Sequence, residues 1–392
     1  MPFFVRGLAA AGAEVVGVGD SPAEALPPMA REGLSGYLRL GHLWDEERTA
    51  AAVRGWAGAR GVERVECLWE PGMFLAARLR EALGVPGMTV AETVPFRDKE
   101  SMKQVLDAAG IRTPRHARAR TEAEIRAAAE RTGWPLVVKP IAGAGSADTH
   151  RADGPADLER VLPLVRHVEE VSVEEFIDGE EYTFDTICSG GKVLYFNHSW
   201  YRPRPLLART REWESPQTLA LRDVDAPRLL PGRAMGMKVL EALRFRDGFT
   251  HMEWFLKADG EAVFGEIGGR PPGARSTDIM NFACDFDSWA AWGEAAVKGR
   301  IDQPIRRRYN AAIICKRASG QGRIRRIEGL DRILSSFGEW VVAVELLPVG
   351  AERRDWRKTL LSDGWVMVRH PDLGATMEMA DRVGTDLRLV AG

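Results

Sequence analysis

The sequence predicts a mixed α/β and α+β architecture: a parallel α/β layer over residues 1–95, a larger central unit over 96–300, and an α+β portion over 301–392. Three observations lead there. Helix-like and strand-like segments alternate through the first 95 residues, as in a parallel layer. From Phe96 the texture turns to longer apolar strands punctuated by glycine. The last 90 or so residues carry three further strand-like runs, A-A-I-I-C, W-V-V-A-V-E-L-L and G-W-V-M-V.

Residues 2–11 predict a helix that stops at Gly12, followed by the strand E-V-V-G-V-G. A helix over 45–59 precedes the strand V-E-C-L-W, and F-L-A-A-R-L-R-E-A-L-G predicts the next helix. A parallel layer ordinarily opens with a strand, so the expectation is that the natural start lies upstream of Met1. A helix from Asp98 to Ala109 ends at Gly110, where glycine suits a left-handed cap. Thr121 and Glu124 form a capping box for the next helix. W-P-L-V-V-K-P is a strand that ends in Lys139 and runs into the glycine-rich I-A-G-A-G-S-A. Strands over 171–177 and 181–188 follow, the second turning at Gly190-Gly191 into V-L-Y-F-N, and residues 285–298 read as helix.

The segment G-F-T-H-M-E-W-F-L-K-A-D-G-E-A-V-F-G-E-I-G-G-R predicts a β-hairpin, with Asp259-Gly260 as a tight primed turn. If these are the two loop residues, Ala258 pairs with Glu261, and counting back places Glu253 opposite Glu266. Like charges directly opposed across a sheet are destabilising. A hard divalent cation between the carboxylates removes the penalty.

Composition narrows the function classes. A formal net charge of -2 gives no sign of a nucleic-acid or membrane partner. The four cysteines are far apart with no CxxC pair, as expected of reduced thiols in a cytoplasmic protein. No run of eighteen apolar residues exists. Lys139 is followed by Gly143, Gly145 and Ser146, and glycines let backbone N–H groups approach an anion beside the lysine charge. Lys99 and Lys103 lie one turn apart on one helix face, a pattern more often solvated surface. Glu174, Glu175, Glu180 and Glu181 cluster between two strands, where carboxylates could accept hydrogen bonds from an adenine amino group or ribose hydroxyls. In the aromatic and basic stretch 197–209, Arg204 and Arg209 read as surface residues. His251 shares a strand face with Glu253, to touch substrate or simply pack, and Arg275 is placed to bind a second carboxylate.

Taken in order, a lysine on a helix, a lysine on a strand, a glycine-rich loop, an acidic hinge and two facing glutamates followed by Arg270 resemble the ATP-grasp superfamily. Within it the chain resembles carboxylate–amine ligases, with biotin carboxylase, carbamoyl-phosphate synthetase and above all the L-amino-acid ligases. The resemblance implies an ATP-grasp fold with a small lid subdomain at about 114–178. Lys99 and Lys139 would contact ATP phosphates, with Lys139 and Arg270 in catalytic roles, and a mobile loop 142–147 would close over them. Glu174, Phe176 and Ile177 would form the adenine hinge, and Glu181 would reach the ribose. Glu253 and Glu266 would hold Mg2+ (or Mn2+). Arg270, His251 and Arg275 would face substrate. The implied reaction is phosphoryl transfer from ATP to a small carboxylate, with attack of an amine on the acyl phosphate. The alternatives are an ATP-grasp small-molecule kinase and a non-catalytic nucleotide-binding relative. Relatives of this kind are often dimers, so a homodimer is expected. Many of them continue the second glutamate with x-Asn, whereas this chain has Gly268, which offers no side-chain oxygen.

Overall fold

The structure is a computed structural model that describes residues 2–58, 60–143 and 148–392. Its first strands, Val16–Gly19 and Gly36–Arg39, pair in parallel, flanked by helices Glu46–Ala57 and Met73–Leu83. Asp45 caps the first of these helices by accepting from the Arg48 amide. Gly84, at φ +67°, ends the second in the left-handed conformation that glycine takes without penalty. The run 65–69, expected as a strand, joins no ladder. The Arg80 side chain donates to the Val65 carbonyl at 2.9 Å, which satisfies there a group a strand neighbour would otherwise take.

The opening helix, Pro2–Ala10, packs against helix Ser288–Lys298 rather than completing the parallel pair. A Cβ on Gly293 would lie 2.1 Å from the Gly7 carbonyl oxygen, so the two backbones approach too closely for any side chain there. Phe3 and Phe4 close the contact on Trp289, with ring centroids 5.9 and 5.2 Å away. Helix Ser288–Lys298 itself starts three residues later than its apolar pattern suggests, because Asp287 caps it through the amides of Trp289 and Ala290.

Two larger sheets carry most of the rest. A four-stranded sheet runs in the order His116–Ala119, Val171–Glu175, Leu136–Pro140, His150–Ala152. Helices Glu122–Thr132 and Pro155–Val165 cover it, with Ile125, Leu158 and Leu162 buried against Leu136 and Val173. The capping box of Thr121 and Glu124 is present. The nine-stranded sheet is antiparallel and starts from Ala262–Gly268, Gly248–Leu256 and Glu180–Ser189. Beyond these, Ser199–Arg202 and Gln217–Ala220 lead directly to Asn310–Cys315, Gly364–His370 and Val341–Leu346. Three of the C-terminal strands therefore extend the large sheet, while Ile324–Glu328 and Arg388–Ala391 pair antiparallel as a separate two-stranded sheet. Their buried faces, including Ile314 and Val366, join the same core as Phe184, Met252 and Trp254.

The acidic hairpin reaches its expected pairing by an unexpected route. The Lys257 amide donates to the Glu261 carbonyl at 3.0 Å, the Gly260 amide donates to the Lys257 carbonyl at 3.0 Å, and of these turn residues only Gly260 has positive φ. The turn thus holds one residue more than a two-residue primed turn, and Leu256 faces Ala262. A bulge after Glu253 then inserts Gly265 and restores the register, so Glu253 does face Glu266.

Candidate active site

Glu253 and Glu266 project from neighbouring strands with about 30% of each side chain exposed (31% and 29%). Behind Glu253 the polar positions of two apolar strands line up. Thr183 faces Glu253 and Asp185 faces His251 across the ladder. Asp185 is fully buried, accepts from the Thr183 hydroxyl at 2.7 Å and holds His251 Nδ1 at 2.6 Å. His251 Nε2 lies 3.5 Å from Glu253, and the Tyr201 hydroxyl donates to the same Glu253 oxygen at 3.1 Å. Burial disfavours the His251 imidazolium, yet the two carboxylates outweigh it and lift its pKa to about 9. Burial likewise works against the Glu253 carboxylate, but His251, Tyr201 and Arg270 hold it down at about 2. His251 is therefore a charged strut that fixes one carboxylate of the pair. The alternation of Thr183 and Asp185 with Tyr182 and Phe184 was the sequence signal for this row; Tyr201 had none as specific.

The lysines converge on the same place. Asp98 caps helix Lys99–Ala108, and the Lys99 amide donates to the Ile141 carbonyl at 3.4 Å. Lys99 Nζ lies 3.1 Å from Glu266 and donates to the Gly143 carbonyl at 2.8 Å. Gly145 and Ser146 lie outside the described residues. Lys103, read from sequence as a surface side chain, is fully buried and meets Glu174 Oε1 at 2.8 Å. Lys139 meets the other oxygen, Oε2, at 2.8 Å. Burial lowers the Lys103 pKa against the pull of Glu174, whereas at Lys139 the glutamates 174, 266 and 253 overcome burial and raise it. Two ammonium groups keep the buried Glu174 carboxylate well below the usual range despite its desolvation.

This corrects the expected hinge. Both Glu174 oxygens are taken by lysines, so its carboxylate is not open to an adenine amino group in this arrangement. Ile177 is buried in the protein. Phe176 is stacked by Arg151 and Arg204, whose guanidinium carbons lie 4.0 and 4.8 Å from its ring centre. Arg204 is not a surface residue: only 12% of its side chain is exposed, and it lies 3.6 Å from Glu181. Burial and the neighbouring Glu253 push the Glu181 carboxyl up to about 8, against Arg204.

Arg270 folds back over Gly268, where a Cβ would meet its side chain at 3.4 Å. Its Nε donates to Glu70 at 2.9 Å, and Arg97 takes the other Glu70 oxygen at 2.6 Å. Glu70 thus ties the N-terminal layer to the site, a link between distant segments that the sequence did not announce. Arg275 does not offer a free guanidinium. It lies 3.0 Å from Glu345 and 3.4 Å from Asp278, so the carboxylates it binds here belong to the protein.

Two opposed carboxylates, two lysines and an arginine fit a magnesium nucleotide. Mg2+ ordinarily takes one or two protein carboxylates and completes its shell with phosphate oxygens and water. Consistent with that, no group of three or more His, Cys, Asp or Glu side chains forms a full metal cage among the described residues.

Residues 96–201 match the ATP-grasp domain family, so this stretch of the chain is an ATP-grasp domain. The L-arginine-specific L-amino acid ligase of Bacillus subtilis is 26% identical over 227 residues, 56% of this chain and 54% of that protein. The chain thus spans about half the length of that curated relative. Among solved structures, an L-amino acid ligase from Bacillus licheniformis superposes with a TM-score of 0.79 at 21% identity, covering 100% of this chain and 96% of that one. The biotin carboxylase domain of Hydrogenobacter thermophilus 2-oxoglutarate carboxylase, solved with MgADP and bicarbonate, gives 0.64 at 16% identity, covering 98% and 88%. At these identities the structural matches establish the shared fold.

Proposed function

We propose that this protein is an ATP-dependent carboxylate–amine ligase acting on an amino acid or similar small carboxylate. The observation that carries the reading is the meeting of Lys99 and Lys139 with the Glu253–Glu266 pair. The curated and structural likeness to L-amino acid ligases supports the substrate class.

Glu253 and Glu266 would hold Mg2+, which when bound neutralises phosphate charge. Lys99 and Lys139 add cationic charge beside the phosphates, where phosphoryl transfer depends on positioning and electrostatics more than on covalent help. Arg270, anchored by Glu70 and the Pro271 carbonyl, would offer its remaining N–H groups to the transferred phosphoryl group or the substrate carboxylate. The carboxylate takes the γ-phosphoryl group from ATP and releases ADP. The amine then attacks the acyl carbon, and inorganic phosphate leaves. Water would have to be kept from that acyl phosphate, which it would hydrolyse.

The test follows an oxygen atom. With a substrate carboxylate labelled in 18O, one label should appear in the released phosphate for each amide bond formed. Phosphate without label, or a stable phosphorylated product with no amine consumed, would refute the ligase mechanism, the latter in favour of a kinase.

A further inference from the structure

Glu174 is shared. Lys103 approaches from helix Lys99–Ala108 and Lys139 from the adjacent strand, each 2.8 Å from a different carboxylate oxygen. The two lysines are not equivalent. Lys103 is sealed, with none of its side chain exposed, whereas 16% of the Lys139 side chain is exposed. Lys139 also feels Glu266 and Glu253, so it stands between the buried Glu174 carboxylate and the Glu253–Glu266 pair. Lys103 has no route to a ligand. Its nearest polar neighbours are Glu174 and, at 3.4 Å, the Lys99 carbonyl.

Resting on the reading that Lys139 serves ATP phosphates, we propose that Lys103 is a positioning residue that releases Lys139 for the nucleotide. A buried carboxylate left without a cation is strongly destabilised. When Lys139 turns toward phosphate, Lys103 remains on Glu174 as its counter-ion, so the movement leaves no unpaired charge in the protein. Without Lys103, Glu174 has Lys139 as its one close cation and competes with phosphate for it. Lys103, Lys139 and Glu174 together carry a net charge of +1. That charge falls to zero in Lys103→Met, and returns to +1 when Glu174→Gln is added.

The double substitution therefore separates this role from simple structural support. Mg·ATP affinity is measured by calorimetry on the full chain, without a second substrate, and melting temperature reports folding. Lys103→Met should raise the Kd by about tenfold or more, the scale of one charged hydrogen bond. Adding Glu174→Gln should bring it back to within about threefold of wild type, although a second buried group has been altered. Lys103→Arg, which keeps the charge, should bind nearly as wild type does. A folded Lys103→Met protein with wild-type affinity would overturn the proposal, as would a double mutant as weak as the single. Should Lys103→Met fail to fold, Lys103→Gln, alone and with Glu174→Gln, supplies the same comparison. Because the readout is nucleotide binding, a protein that binds ATP without ligase turnover would sink the ligase reading and leave this proposal standing. An unchanged Kd would do the reverse.

Discussion

His198 gives a pH dependence that can be worked out from its surroundings. The ring is fully buried among Phe184, Phe196 and Trp254. Nδ1 donates to the Thr183 carbonyl at 2.9 Å, while Nε2 has no hydrogen-bond partner. Desolvation therefore lowers its pKa to about 4, against the pull of Thr183 and Asp185. In the unfolded chain the value is about 6.5. Between those two values the unfolded state binds the extra proton, so stability is complete above pH 6.5 and is lost as pH falls toward 4. A difference of about 2.5 units at 1.36 kcal/mol each corresponds to about 3 kcal/mol. The comparison is wild type against His198→Asn, whose amide keeps a donor for Thr183 but does not titrate, by urea denaturation at pH 7 and pH 4. Wild type should lose about 3 kcal/mol more than the variant over that interval. Equal losses in the two proteins would refute the reasoning.

Other substitutions test other links. Asp185→Asn removes the buried partner of His251 and should weaken Mg2+ dependence of turnover by about 10–100-fold, read as the shift in the Mg2+ titration midpoint. Lys139→Ala should raise the Kd for ATP, and unchanged affinity would count against its phosphate role. Gly293→Ala places a methyl group 2.1 Å from the Gly7 carbonyl oxygen. It should destabilise by about 1–3 kcal/mol or more, measured by denaturant unfolding. A neutral result would mean that helix Pro2–Ala10 does not dock as described.

The acidic hairpin was legible because a period-two pattern and an Asp-Gly turn constrain each other. Its details were not. The turn is one residue longer than expected and the bulge at Gly265 cancels the shift, so the right pair came from two compensating departures. Asp185, His251 and Glu253 could be placed on strand faces from sequence, but only pairing between the strands shows that they form one row. The double claim on Glu174 was illegible for a different reason. Lys103 and Lys139 reach it from 71 and 35 residues away, and a lysine on an amphipathic helix carries no mark of which face is buried. Run 65–69 failed as a strand since its apolar pattern says nothing about whether a neighbour exists to pair with it. The three C-terminal runs read as strands are strands, and Ile324–Glu328 and Arg388–Ala391 went unread; membership of the three in the large sheet required long-range register that local patterns do not encode.

The central claim is that the Glu253–Glu266 pair and its lysines make this chain a ligase. Its most direct test is Mg2+-dependent ADP release by the full chain over amino acids offered singly and in pairs, with Glu266→Gln as control. The account predicts release that requires two partners, and a Glu266→Gln protein that folds and melts like wild type but does not turn over. Release of ADP by Glu266→Gln at the wild-type rate would contradict it.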